Sequence, residues 1–254
     1  MSNMIQVQGI SKTYKEKQGT LDVLNQIDLR IESGEFVSII GPSGCGKSTL
    51  LNIISGLELP SSGSVYLQGE NIIGQTGHVA LMPQKDVLFP WRTVLDNVIL
   101  PLELRGISKK EAKKQALPLF PQFGLEGFQS HYPFMLSGGM RQRANFLRTF
   151  LSDKSLILLD EPFAKLDALT RAELQKWLLS ICEKRNLTVL LITHDIDEAI
   201  FLSDRIYVMS HRPGKIVQEV NVTISRPRSP EQFSTSDWLT LKKQLIEKLY
   251  TFEL

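Results

Sequence analysis

Cysteine is nearly absent from the 254 residues: only Cys45 and Cys182 occur. Two cysteines in no ligand spacing give neither a metal site nor a disulfide framework. A reducing, cytoplasmic setting is therefore expected. Long apolar runs are missing too, and none approaches the roughly 18 residues that span a bilayer. Met1-Ser2-Asn3-Met4 leads straight into Ile5-Gln6-Val7, so no signal peptide is expected. The net charge is only +2, which excludes a global basic field for nucleic acid. The densest basic run is Lys109-Lys110-Glu111-Ala112-Lys113-Lys114. It follows Ser108, and Glu111 completes a capping box, so a solvated helix start describes it better than a polyanion site. Internal repeats and low-complexity tracts are absent. What remains, 42% hydrophobic and 22% charged, suits one large globular domain or two small ones.

The first third reads as short strands and turns. Ile27-Asp28-Leu29-Arg30-Ile31 alternates as a half-buried strand does, and Ser33-Gly34 is a turn. Phe36-Val37-Ser38-Ile39-Ile40 is a more apolar strand. A helix is predicted from Lys47 to about Gly56, where glycine suits a left-handed C-cap. The stretch from about Val87 to Lys154 is richer in helical pattern and reads as a helical subdomain inserted into an α/β core. Leu156-Ile157-Leu158-Leu159 is an apolar strand, and Thr188-Val189-Leu190-Leu191-Ile192 is expected to be the final core strand. Asp204 to Met209 and Lys215-Ile216-Val217 read as further strands, parted by a Pro213-Gly214 turn. Trp238, Leu241, Leu245 and Leu249 fall at helical spacing, and a packing face explains them better than a partner site.

Two motifs carry the chemistry. Gly41-Pro42-Ser43-Gly44-Cys45-Gly46-Lys47-Ser48 is a phosphate-binding loop in its proper context of strand, loop and helix. Its four specified positions would arise by accident in about 1% of chains this long. Leu136-Ser137-Gly138-Gly139-Met140-Arg141-Gln142-Arg143 follows downstream. Eight such residues would arise by accident on the order of once in a hundred million chains. Together, in this order, the motifs resemble the ATP-binding subunit of ABC transporters. The resemblance covers about Ile5 to Pro213. It implies an α/β fold: a P-loop NTPase core (RecA-like, mixed sheet) with an antiparallel β subdomain and an inserted helical subdomain. Residues 1–225 would be the ATP-binding domain, with its helical subdomain at about 87–154, and residues 226–254 a C-terminal helical extension.

The loop glycines leave backbone N–H groups free to face phosphate oxygens, and the following helix adds its positive end. Gly41, Pro42, Ser43, Gly44, Cys45 and Gly46 are therefore expected around ATP. Lys47 should reach the β- and γ-phosphates, Ser48 should give its hydroxyl to Mg²⁺, and Thr49 should support the α-phosphate. Asp160-Glu161 ends an apolar strand, which delivers its carboxylates to the edge where the loop lies. Asp160 is expected to hold Mg²⁺ and Glu161 to act as general base on the attacking water. The resemblance supplies the remaining roles. Tyr14 occupies the position of an aromatic stacked on adenine, although a lone Tyr also suits core or surface. Gln84 would touch Mg²⁺ and water. His194 would contact the γ-phosphate and position Glu161. Ser137, Gly138 and Gly139 open a helix that would face the ATP of a second subunit, and Asp167 lies where the family crosses the dimer interface.

The resemblance thus implies ATP and Mg²⁺ as cofactors and a head-to-tail, ATP-bridged homodimer. It implies an integral membrane permease, indirectly an extracellular solute-binding protein, and no nucleic acid. The chain would lie peripherally on the cytoplasmic face of the membrane, with the channel formed by another chain. Gln84 to Val98 is similar to the nitrate, sulfonate and taurine importer branch, which includes subunits for pyrimidine precursors of thiamine. Within it Phe89-Pro90-Trp91 reads equally as core of the helical subdomain or as an apolar docking patch. Ala164-Lys165 departs from the Gly-Ala or Ser-Ala of that branch. Asn145 and Thr149 stand where small or apolar residues are usual. A soluble ABC ATPase of DNA repair or translation is the alternative. However, only about 90 residues separate Lys47 from Ser137, too few for a long coiled coil, and there is a single set of motifs.

Overall fold

The computed structural model describes residues 3–17, 19–164 and 166–250. In chain order the strands are β1 (Asn3–Glu16), β2 (Gly19–Glu32), β3 (Phe36–Ile40), β4 (Ser62–Leu67), β5 (Glu70–Asn71), β6 (Ala80–Met82), β7 (Leu156–Asp160), β8 (Thr188–Ile192), β9 (Arg205–Met209) and β10 (Ile216–Asn221). The α-helices are α1 (Lys47–Ile54), α2 (Val94–Val98), α3 (Leu100–Leu104), α4 (Lys109–Ala116), α5 (Gly138–Phe150), α6 (Ala168–Arg185), α7 (Ile196–Leu202) and α8 (Ser236–Tyr250).

The strands form two sheets. An antiparallel sheet runs β2-β1-β4-β5, and a six-stranded sheet runs β10-β9-β3-β8-β7-β6. In the larger sheet β9, β3, β8, β7 and β6 are parallel, and β10 pairs antiparallel with β9. This is the mixed-sheet α/β architecture expected from the motifs, with the antiparallel sheet beside it. Strands β3, β7, β8 and β9 are buried at every position. Such strands read as nearly continuous apolar runs because both faces are covered. In β7, Ile157 and Leu159 join the helical side of the core, while Leu156 and Leu158 face the side of β1, β2 and α1. Helices α2 to α5 lie in sequence between β6 and β7. Phe123, Phe146 and Phe150 close around Trp177 of α6, with the Phe123 and Trp177 ring centroids 4.1 Å apart.

Parallel register fixes what happens at one sheet edge. Met82 pairs with Leu159, Asp160 with Ile192, and Ile39 with Ile192. The chain leaving β3, β6, β7 and β8 therefore emerges at a common edge, where ligands bind in open parallel sheets. Helix α1 begins at Lys47 as the sequence predicts, and Gly56, at φ +78, follows its C-cap Ser55. A Cβ on Gly56 would stand 2.1 Å from the Gln75 carbonyl oxygen, so glycine is required there.

One expectation needs correction. Thr188–Ile192 is not the last core strand, because β9 inserts parallel to β3 on its other side. Arg205 at its start is the disguise: a buried arginine, neutralised by Glu35 at 2.6 and 2.8 Å and by Glu219 at 2.9 Å. Replacing Arg205 by Ala would strand Glu35 without its partner. The expected loss of stability is about 3–5 kcal/mol in urea denaturation; a loss below about 1 kcal/mol would show that the pair is solvated.

Candidate active site

Beyond β3 the loop of residues 41–46 turns into α1. Gly46 takes φ +108, and a Cβ there would stand 2.7 Å from Leu24 Cδ2. No side chain caps α1, which leaves its N-terminal N–H groups to an anion. Lys47 folds back over the loop, and its Nζ donates to the carbonyls of Gly41 and Pro42, both at 2.8 Å. Ser43, Gly44, Gly46, Ser48 and Thr49 join Lys47 along an open cleft of about 440 Å³. The Cys45 side chain is buried beneath the loop, so only its backbone is in a position to serve a phosphate.

Across the cleft β7 ends in Asp160, and Glu161 follows it directly. Asp160 is buried, and burial raises its carboxyl above the usual range. The Ser48 hydrogen bond and the charge of Lys47 work against that shift, while Glu161 adds to it. Glu161 adopts φ +47, a left-handed conformation that costs a non-glycine residue about 1–3 kcal/mol. Its N–H donates to the Ile192 carbonyl of β8 at 2.9 Å, which holds the turn. The turn places its carboxylate between two partners. Gln84 Nε2 donates to Oε2 at 2.8 Å, and His194 Nδ1 lies 3.2 Å from Oε1. Gln84 arrives from β6 and His194 from β8, so three adjacent strands build this cluster.

Tyr14 closes the far end of the cleft with its ring beneath Lys12, whose Nζ lies 4.8 Å from the ring centroid. Its hydroxyl donates to Glu58, and burial together with that bond raises the phenol above its usual range. The sequence reading did not single out Arg212, which also lines the cleft and donates through Nε and Nη2 to the Gly44 carbonyl. The only signal for it was its place before the Pro213-Gly214 turn. Gly214 is wedged against the loop, since a Cβ there would stand 2.3 Å from the Cys45 carbonyl oxygen.

Ser137, Gly138, Gly139 and Asp167 are not brought into this cleft. Ser137 and Gly138 are exposed at the start of α5, and the Ser137 hydroxyl accepts from Met140 N–H at 3.2 Å. Asp167 is exposed and caps α6, accepting from Thr170 N–H at 3.0 Å. That bond holds its carboxyl below the usual range. The departure at Asn145 has a clear role: Asn145 Nδ2 and Arg141 Nε both donate to Asp86, at 3.1 and 2.8 Å. They tie the segment after Gln84 to α5. Thr149 turns its hydroxyl back to the Asn145 carbonyl at 2.9 Å. Lys165, the other departure, lies outside the described residues. The basic run is spent on structure, with Lys109 and Lys113 both paired to Asp96 at 2.9 and 3.2 Å.

The profile of the ABC transporter family matches residues 24–164. The chain belongs to the ABC transporter family. It is 40% identical to the aliphatic sulfonates import ATP-binding protein of Bacillus cereus, over 96% of this chain and 95% of that protein. It is 47% identical to the formylaminopyrimidine import ATP-binding protein of Halalkalibacterium halodurans, over 79% of this chain and 78% of that protein. Among solved structures it resembles a dimeric ATP-binding cassette in a post-hydrolysis state with ADP and Pi bound. The TM-score is 0.80 at 33% identity, covering 87% of this chain and all of that one. This ABC family member is thus an ATP-binding subunit that hydrolyses ATP.

Behind His194 the ABC ATPase buries a second carboxylate, Glu198 of α7. Gln175 Nε2 donates to it at 3.0 Å. Burial pushes Glu198 up to about 7, and Asp195 adds to the rise. The folded state therefore holds this proton more tightly than the unfolded chain does. The stabilisation is complete below about pH 4.5 and is lost as pH rises through about 7. Wild type should lose about 3 kcal/mol between pH 4.5 and 8 relative to Glu198→Gln. Parallel denaturation curves for the two proteins across that window would refute the burial argument.

Proposed function

We propose that two copies of this chain close head to tail over two ATP molecules and drive import through a separate permease. One observation carries the reading. A single copy holds the phosphate loop, Gln84 and Glu161 around one cleft, with His194 against Glu161, yet leaves the start of α5 exposed outside it. A 13-residue helix whose first residue, Gly138, is exposed favours a phosphate at its N-terminus. A partner's ATP fills that role, with Asp167 crossing between the copies.

The cleft suits Mg²⁺ as well. Asp160 is a buried carboxylate whose charge is disfavoured, and the Ser48 hydroxyl already bonds to it. One carboxylate, one hydroxyl and the Gln84 amide form an oxygen donor set of the kind Mg²⁺ takes together with phosphates and water. Bound there, the ion would neutralise charge on the β- and γ-phosphates. Glu161 acts as general base. Its carboxylate takes a proton from the water that attacks the γ-phosphorus, the bond to the β-phosphate oxygen breaks, and ADP leaves. Gln84 and His194 hold the two carboxylate oxygens in one orientation, and such a base contributes about 10²–10⁴ in rate.

The permease reading rests on the corner at Phe89-Pro90-Trp91. It is not core: Trp91 is 72% exposed and stacks on Phe89 at 5.1 Å. Buried Asn97 fixes the corner by accepting from Phe89 N–H at 2.7 Å and donating to the Phe89 carbonyl at 3.0 Å. A rigid exposed aromatic beside the Gln84 segment has the character of a binding hot spot. Residues 1–225 then form the ATP-binding domain, 87–154 its transmission part and 226–254 an extension. The cargo is a small solute of the kind that the sulfonate and formylaminopyrimidine relatives are named for, delivered by an extracellular binding protein. The subunit sits at the cytoplasmic face; among the described residues no helix is long and apolar enough to cross a membrane.

Glu161→Gln should bind ATP, fail to hydrolyse it and run as a dimer by light scattering with ATP and Mg²⁺. A variant that hydrolyses normally and stays monomeric would overturn the mechanism. Tagged protein purified from gently solubilised native membranes should bring down a multi-span permease, and Trp91→Ala should lose it. Recovery only with ribosomes or DNA-repair proteins would favour the non-transport ATPase instead.

A further inference from the structure

His194 sits on a very short link. Thr193 N–H donates to the Ile39 carbonyl of β3 at 3.3 Å, so the chain is moored to the sheet one residue before it. Asp195, one residue after it, caps α7 by accepting from Glu198 N–H at 3.1 Å. The position of the imidazole at Glu161 therefore follows the position of α7. That helix has only seven residues, too few to be stable alone, so tertiary contacts must place it.

One side of α7 packs on β3 and Gln175 of α6 bonds to its Glu198, while the C-terminal segment meets it at both ends. In the first turn of α7, Asp197 accepts from Trp238 Nε1 at 2.9 Å and from Lys242 Nζ at 2.6 Å. At the other end two arginines meet the terminal carbonyls, where the helix carries partial negative charge. Arg228 Nη1 donates to the carbonyls of Ile200, Phe201 and Ser203 at 2.8, 3.1 and 2.7 Å. Arg226 Nη2 donates to Leu202 at 2.7 Å. Four successive carbonyls are thus held by two side chains two residues apart. Trp238 is fully buried and packs on Phe233 at 4.5 Å, and Phe233 in turn meets Phe201 of α7 at 6.0 Å.

We propose that residues 226–250 are a positioning element for His194, gripping α7 at both ends and so setting where the imidazole meets Glu161. This rests on the reading of Glu161 and His194 given above. Trp238, Lys242, Arg226 and Arg228 act through α7 and are positioning residues; none of them lines the nucleotide cleft. Small displacements of a catalytic group are costly, about a hundred-fold in rate for 1 Å. A grip on seven residues is therefore enough to govern turnover.

The test uses the full chain with Trp238→Phe and Lys242→Met combined, which removes both donors to Asp197 and keeps the apolar contacts. The chain has four histidines, so the ring signal of His194 is separable by NMR. In the double variant that signal should move while that of His78 stays. The kcat for ATP should fall about ten-fold with KM within two-fold of wild type, because the phosphate loop is untouched. Lys242→Arg alone should keep the wild-type signal and rate. If the double variant does not fold, Lys242→Met alone is read in the same way, at a side chain 35% exposed. An unmoved His194 signal in a folded variant overturns the proposal. A moved signal beside a fully active His194→Ala upholds the positioning and places the failure in the catalytic reading.

Discussion

The structure turns on the Glu161 carboxylate, held at both oxygens by groups from two different strands. Nothing in the local sequence favours φ +47 at a glutamate; the ladder imposes it. Asp160 is still paired with Ile192 in the parallel register, and the next N–H bends over to the Ile192 carbonyl. The bend turns the carboxylate out of the sheet, between the Gln84 amide and the His194 ring. The strand order β8-β7-β6 therefore assembles this cluster as much as it packs the core. A slip of one residue between β7 and either neighbour would reverse the faces of its side chains and separate all three groups. The fully buried faces of β7 and β8 are what forbid that slip.

The same glutamate is tied to α5, the helix that the Leu136–Arg143 motif opens. Gln142 Nε2 of α5 donates to the Glu161 carbonyl at 3.4 Å, while Arg141 and Asn145 of the same helix hold Asp86. Asp86 in turn accepts from Leu88 N–H at 3.0 Å, and Arg148 donates to the Val87 carbonyl at 3.0 Å. One face of α5 thus binds Glu161 on one side and the segment leading to the exposed Trp91 corner on the other. A packed, hydrogen-bonded unit of this kind moves as a body rather than flexing along its length. It supplies a material link between the face that would meet a permease and the residue that would meet water.

Much of this was legible in the chain, for identifiable reasons. Phe36–Ile40 and Thr188–Ile192 could be read to the residue because buried parallel strands leave no polar interruptions. Lys47, Ser48, Asp160 and Glu161 were legible because phosphate chemistry constrains both residue type and spacing. What stayed hidden depends on partners distant in sequence. That β9 belongs to the core does not show locally, because the buried Arg205 is accounted for only by Glu35, 170 positions away. Arg212 carries no motif, and its relation to Gly44 exists only once β9 lies against β3. Asn145 departs from the small or apolar residue usual there, and its partner Asp86, 59 positions upstream, is not visible locally. The helical spacing of Trp238, Leu241 and Leu245 announced a buried face, and all three are buried, yet it could not say that α7 is what they help to hold.

The cleft of one copy is electrostatically incomplete, and that gives ATP its leverage. Lys47 spends its ammonium on two carbonyls of its own loop, and Asp160 carries a charge that burial disfavours. Phosphates and a divalent cation answer both conditions, so nucleotide binding should relax strain already present in the free subunit. Closing a second copy over that nucleotide is a separate matter. The exposed α5 terminus gains only what a γ-phosphate offers it, and a ligand shifts a conformational balance only by its difference in affinity between the two states. In the proposed dimer, ADP would keep the contacts to the loop and lose those to the second copy's α5. The proposed clamp would then release its second copy while the subunit still held its product.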